Sequence, residues 1–85
     1  MFKKSTRKNK KYMVNYGDKW IHFGDKRYQH FMDSTPLKLY SHMDHNDYER
    51  RKNYRDRARG ITNKYGELTY DNPNYANYWS YNYLW

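Results

Sequence analysis

Cysteine is absent from this 85-residue chain, proline occurs twice and glycine four times. Without cysteine no disulfide can supply the stability that a small core lacks, and thiolate catalysis is excluded. Aliphatic side chains are nearly as scarce. Val14, Ile21, Leu37, Leu39, Ile61, Leu68 and Leu84 are the whole Val, Ile and Leu supply, far below that of an ordinary globular domain. The longest uncharged stretch, residues 72–85, is rich in Asn and Tyr, and the N-terminus has no apolar signal core. Neither end therefore predicts a membrane span or a cleaved leader. The expectation is one small soluble domain, intracellular or particle-bound.

Rings and cations fill the space left by these absences. The chain has 12 Tyr, 3 Trp and 3 Phe. A domain of this size buries only about 60–65% of its unfolded surface, so its core has to be built from rings or completed by a partner. Tyr buries a large apolar body while its hydroxyl needs a hydrogen-bond partner, which favours half-wet boundaries. Seventeen Lys and Arg against nine Asp and Glu give a net charge of +8 and a pI near 9.7. That charge is uneven: residues 1–11 carry +6, residues 12–41 carry +1, residues 42–59 carry +2 and residues 60–85 carry −1. The dense like charge of residues 1–11, with Phe2 as their one large apolar side chain, predicts a flexible basic arm ahead of a domain at 12–85.

Period-two alternation begins after the arm. Tyr12, Val14 and Tyr16 share one face, and Ile21 and Phe23 alternate with Trp20 and His22, which predicts two antiparallel strands joined by the turn-forming cluster Tyr16-Gly17-Asp18-Lys19. Thr35-Pro36 predicts an irregular segment, with Leu37 and Leu39 as core anchors. A helix is predicted over 46–59. Asn46 and Glu49 have capping-box spacing, Arg55, Arg57 and Arg59 suit a C-terminal end, and Gly60 is a stop signal. Its only apolar stripe is a narrow Tyr54/Ala58 seam, with Asp47 and Arg51 spaced for an i, i+4 pair. Leu68-Thr69-Tyr70 reads as a short strand. The six rings of residues 75–85 read as a tail that either covers the core or docks a partner. The fold class expected is α+β: a small single domain with an N-terminal β-hairpin, one Arg-rich helix and an aromatic C-terminal tail over the hairpin.

Three segments carry a resemblance. They are His22-Phe23-Gly24-Asp25-x-Arg27-Tyr28-Gln29-His30, the run from Thr35-Pro36-Leu37-x-Leu39-Tyr40-Ser41-His42-x-Asp44-His45 to Arg50-Arg51-x-x-Tyr54-x-x-Arg57, and the closing Trp79-Ser80-x-x-Tyr83-Leu84-Trp85. Together they resemble small basic Tyr/Trp-rich proteins of unknown function encoded by large double-stranded DNA viruses of protists and algae, with shorter relatives in phages. The resemblance implies a viral origin, one small domain and no established chemistry. It departs at Ala58, where a His commonly follows the helical Arg in that pattern, which weakens any reading of that His as a ligand or base.

Chemistry-bearing residues cluster twice. In Ser41-His42-Met43-Asp44-His45, the ligand types of His42, Asp44 and His45 suit zinc or iron, though a structural site wants four ligands and the carboxylates equally suit a helix cap. A metal-assisted nuclease using His42 or His45 would need a rigid site that so thin a core supplies poorly. No cofactor is therefore expected. The second cluster is cationic: Lys3, Lys4, Arg7, Lys8, Lys10 and Lys11 in the arm, and Arg50, Arg51, Arg55 and Arg59 on the helix, with Lys52 and Arg57 beside them. Lys and Arg bind phosphates with release of counterions, and rings stack on unpaired bases. The expected function is non-enzymatic binding of nucleic acid without sequence preference, in the virion or in the cytoplasm or viral factory of an infected cell. The alternative is a minor capsid protein that bridges larger virion proteins through Tyr78, Trp79, Tyr81, Tyr83 and Trp85.

Overall fold

In a computed structural model describing residues 1–85, the period-two segments form the strands that alternation predicts. They are labelled β2 (Lys10–Tyr16) and β3 (Lys19–Asp25), and β1 (Phe2–Lys4) precedes them. The three make one antiparallel sheet in the order β1-β2-β3. Pairing of Tyr16 with Lys19 leaves Gly17-Asp18 as a two-residue loop. Gly17 has φ 63° at its first position, where a II′ hairpin turn calls for glycine. Tyr12 opposes Phe23 and Val14 opposes Ile21, and all four are buried on one face.

Part of the expected basic arm is built into the sheet as β1. Phe2 pairs with Val14 and Lys4 with Tyr12 along β2. The Phe2 ring meets Phe23, Trp79 and Tyr83 edge-on, with centroids 6.1, 5.8 and 4.8 Å away. One aromatic anchor and a free strand edge thus recruit a segment whose charge alone predicts disorder. Lys10 and Lys11, at the end of that segment, belong to β2, and Lys11 is buried there.

Helix α1 spans Tyr48–Ala58. Its cap is Asp47 rather than Asn46: Asp47 Oδ1 accepts from the amides of Glu49 and Arg50, while Asn46 sits in the left-handed region at φ 53°. The predicted seam is present. Ala58 is buried, and Tyr54 stacks on Trp85 with centroids 4.1 Å apart and planes 9° apart. Arg51 does not pair with Asp47. Its Nε donates to the Trp85 carbonyl at 2.8 Å, and the guanidinium lies 4.9 Å from the Phe31 ring centre.

The expected tail contains a second helix, α2 (Ala76–Tyr83). Asn and Tyr are weak helix formers and no side chain caps its start, so tertiary packing selects the helix. Spacing of 3 and 4 brings Ala76, Trp79 and Tyr83 onto the hydrophobic cluster of Tyr12, Val14, Ile21, Phe23, Tyr40 and Leu84. Trp79 Nε1 donates to the Pro73 carbonyl at 2.8 Å, and Asn77 Nδ2 donates to the Ala58 carbonyl at 2.9 Å. Leu68 forms only an isolated bridge with Thr62, not a strand.

Leu37 and Leu39 are 40% and 47% exposed, so they are not the core anchors expected of them. Buried Asp33 takes that organising role. Its Oδ1 accepts from the Thr35 amide at 3.0 Å and the Thr35 hydroxyl at 2.6 Å, and its Oδ2 accepts from the Tyr12 hydroxyl and from the Tyr40 amide at 3.1 Å. Tyr12 Oη in turn accepts from the Leu39 amide at 2.8 Å. The loop is held by its backbone, which turns toward the sheet. Removing the Tyr12 hydroxyl leaves the Leu39 amide without its acceptor and takes one of two donors from Asp33 Oδ2, so Tyr12→Phe is expected to cost about 1–3 kcal/mol in urea unfolding. Tyr16→Phe, at a 40% exposed position, should change stability by less than about 0.5 kcal/mol. Equal effects of the two substitutions would contradict the role given to Asp33.

Candidate functional site

A cavity of about 480 Å³ opens where the sheet, α1 and the chain end meet. Lys10, Lys11, Gly24 and Asp25 line it from the sheet, Tyr28 and Gln29 from the following loop, and Ser80, Leu84 and Trp85 from the C-terminus. Helix α1 contributes Arg50, Asn53, Tyr54 and Arg57. These four have i, i+3, i+4, i+7 spacing, the signature of one helix face. The volume is in the range of small-ligand sites, about 300–1,000 Å³.

Four cations and one carboxylate form the charge of this lining. The carboxylate is already engaged: Asp25 Oδ1 accepts from Arg27 N and Nε at 2.9 and 3.0 Å, and Oδ2 accepts from Arg27 Nη2 at 2.8 Å. Hydrogen bonding from Arg27 holds its pKa down to about 2. Arg50 Nη1 donates to neutral Gln29 at 3.2 Å. Neither Lys10 nor Arg57 belongs to any of the four ion pairs of the molecule. Unpaired cations on a concave wall give this cavity a positive lining.

Lys11 forms the inner wall differently. Its ammonium donates to the Tyr28 carbonyl at 2.8 Å and to His30 Nδ1 at 2.7 Å. An ammonium only donates, so Nδ1 is the acceptor and the ring hydrogen sits on Nε2, which donates to Asp44 Oδ1 at 2.6 Å. The same oxygen accepts from the Asp33 amide at 2.9 Å. Burial lowers the Lys11 pKa to about 8 against the opposing pull of Asp25, Asp33 and Asp44. Burial, followed by the Lys11 charge, lowers that of His30. Gly24, at φ 77°, makes the close approach possible: a Cβ there would lie 2.9 Å from Leu84 Cδ1 and 3.1 Å from Lys11 Cβ.

The structure brings together only part of the cationic set expected from sequence. Lys10 and Arg50 share the cavity. Lys11 lines it with its stem, but its charge is committed inward and it is no direct phosphate contact. Lys3, Lys4, Arg7 and Lys8 are exposed on β1 and the turn after it, outside the lining. Arg51, Arg55 and Arg59 lie outside it too and bind the chain's own C-terminal segment. Arg55 lies 3.9 Å from the Tyr81 ring centre and donates to the Tyr81 carbonyl, and Arg59 donates to the Tyr81 hydroxyl at 3.1 Å. Arg57, expected within the Arg-rich helix, shares the cavity as well, whereas Asn53 and Gln29 were not among the expected contacts. For Asn53, helical spacing from Arg50 was the available signal.

The rings expected to dock a partner are largely internal. Trp79 and Tyr81 are buried, Tyr78, Tyr83 and Trp85 are half-buried against the core, and Trp85 also carries the Tyr54 stack. The metal candidates do not converge. Asp44 serves His30 and the Asp33 amide, His45 Nδ1 accepts from the Asp47 amide at 2.9 Å, and His42 lies against Tyr40. No group of three His, Asp or Glu side chains is placed to hold a metal ion. No helix is long and apolar enough to cross a membrane.

Residues 1–58 match the model of a family of unknown function (DUF5754), and the chain belongs to that family. No curated protein and no solved structure matches it. The matched span holds the whole Lys11–His30–Asp44 chain and the cationic lining, while Ser80, Leu84 and Trp85 lie beyond it.

The His30 environment fixes a pH dependence. Its folded pKa lies below the unfolded value of 6.5, so protonation favours the unfolded chain and stability falls as pH drops through about 6.5. Urea midpoints are expected to be level from pH 7 to 7.5 and to decline from about 6.5 toward 5. His30→Gln should flatten that decline, leaving the part due to His22 and His45, whose pKa values are lowered as well. An unchanged slope in the variant would contradict the assignment.

Proposed function

We propose that this chain is a non-enzymatic nucleic-acid-binding protein that grips phosphates without reading base sequence. The observation that carries the reading is the convergence of Lys10 from β2 with Arg50 and Arg57 from α1 on one cavity whose sole carboxylate is neutralised by Arg27. Guanidinium groups suit phosphate geometry through paired N–H donors. Gln29 and Asn53 add neutral side chains on the same wall, able to bond phosphate or sugar oxygens. The exposed cations of β1 and its turn widen the electrostatic footprint.

The resemblance to virus-encoded basic proteins supports a place for this activity in the virus particle or its assembly. A clasp between particle proteins, made by the C-terminal rings, draws less support because the core and the helix seam already use those rings.

Binding is measured by fluorescence anisotropy with a labelled oligonucleotide across a salt series. Affinity should fall linearly in log–log form, with each lost phosphate contact reducing the slope by about 0.7–0.9. Arg50→Ala with Arg57→Ala is expected to lower the slope by about 1.5 and weaken binding at least tenfold at low salt, with an unchanged circular dichroism spectrum. Lys52→Ala, which removes a surface partner of Asp56, should have little effect. Retention no greater than that of an equally basic unstructured peptide would overturn the reading.

A further inference from the structure

Beyond Lys11 and Gly24, which line the cavity, the sheet has a second face that neither helix packs on. Alternation places Lys3, Met13, Asn15, Trp20 and His22 there, and the register sets Lys3, Met13 and His22 in one row with Asn15 beside Trp20. Helix α2 packs on β3 from the opposite side, where Trp79 meets Phe23, and α1 packs on α2. This face carries no carboxylate. Trp20 is 41% exposed, and the Lys3 ammonium lies 5.1 Å from its ring centre.

The face runs on into the cavity, because Lys11 and Gly24, two positions from Met13 and His22 along their strands, line it. Burial, then the charges of Arg7 and Lys10, lower the His22 pKa, which keeps the ring neutral at pH 7. Its Nδ1 lies 2.7 Å from the Ser5 hydroxyl, which also accepts from the Arg7 amide at 3.0 Å. Cations thus stand at both ends of this face, with Lys10, Arg50 and Arg57 lining the cavity and Lys3 in the outer row. At its far end stands an exposed two-ring side chain.

We infer that the open sheet face is a base-stacking platform centred on Trp20, and that the chain therefore takes single-stranded rather than duplex nucleic acid. The inference rests on the phosphate-binding reading of the cavity and names its ligand class. A duplex hides the faces of its bases, whereas an unpaired base offers a flat ring to an aromatic side chain. A base arriving on Trp20 displaces Lys3 from the ring, and the freed ammonium meets the adjoining phosphate. With strands about 4.8 Å apart, the face is wide enough for one or two bases, and the ligand continues past Met13 and His22 toward the cavity that Lys11 and Gly24 line.

The test compares a 12-nucleotide thymidine strand, a 12-base-pair duplex and an abasic strand of equal phosphate number, all at one salt concentration. The single strand should bind about tenfold more tightly than either of the others. Trp20→Ala should erase that preference while leaving the salt slope unchanged, and Trp20→Phe should retain part of it. The exposed position allows both substitutions without loss of fold, checked by circular dichroism. A uridine strand is run alongside: a preference over the abasic strand in either sugar series supports the platform. Equal, strongly salt-dependent binding of all ligands, or a preference that survives Trp20→Ala, would overturn the platform and leave the phosphate reading standing. Absence of binding by every nucleic acid would overturn both.

Discussion

A charged lysine buried against a neutral histidine organises this molecule. The Lys11 ammonium is held by the Tyr28 carbonyl and His30, His30 donates to Asp44, and Asp44 receives the Asp33 amide. Each link fixes the direction of the next, because an ammonium has only hydrogens to give and an imidazole with one nitrogen accepting must donate from the other. The chain of bonds joins β2 to two loop segments distant in sequence. It does so where aliphatic packing could not, since few Leu, Ile or Val side chains exist. A half-satisfied buried network would be worse than none, and here Asp33 completes it with both carboxylate oxygens occupied.

Around that polar spine the rings supply apolar area and the cations hold the rings. Phe2, Phe23, Trp79 and Tyr83 form an edge-on and stacked cluster over the sheet. Arg51 and Arg55 lie over Phe31 and Tyr81 and donate to carbonyls near the chain end. Helix α1 therefore has two cationic faces with different tasks. One ties the C-terminus down, and the other, Arg50 and Arg57, faces a cavity whose inner wall Lys11 builds. The proposed ligand site and the stability of the fold share a wall, which couples binding to the buried network.

Much of the sheet was legible because alternation of Tyr12, Val14, Ile21 and Phe23 is a strong local signal. The seam of α1 was legible for the same reason. What was hidden depended on partners distant in sequence. The charge of residues 1–11 outweighed Phe2 in any local reading, yet one ring on a free strand edge decided the outcome. Helix α2 has weak formers and no cap, and only its contact with the sheet selects it. Leu37 and Leu39 looked like anchors by composition, but backbone bonds to Asp33 and Tyr12 claimed their loop first. In the site, a plain count of arginines merged two helix faces that the 3.6-residue period separates. The pairing of Lys11 with His30 spans 19 positions, and no spacing rule announces it.

A neutral His30 accepts from a charged Lys11 while donating to Asp44. Nitrogen-15 NMR of the imidazole at pH 7 reads it directly. The structure predicts the hydrogen on Nε2, an unprotonated Nδ1 shifted by its hydrogen bond, and persistence of this form below the ordinary histidine pKa of 6.5. A hydrogen on Nδ1, or an imidazolium at pH 7, would mean that Lys11 is not the donor and would remove the link on which the fold and the cavity wall both depend.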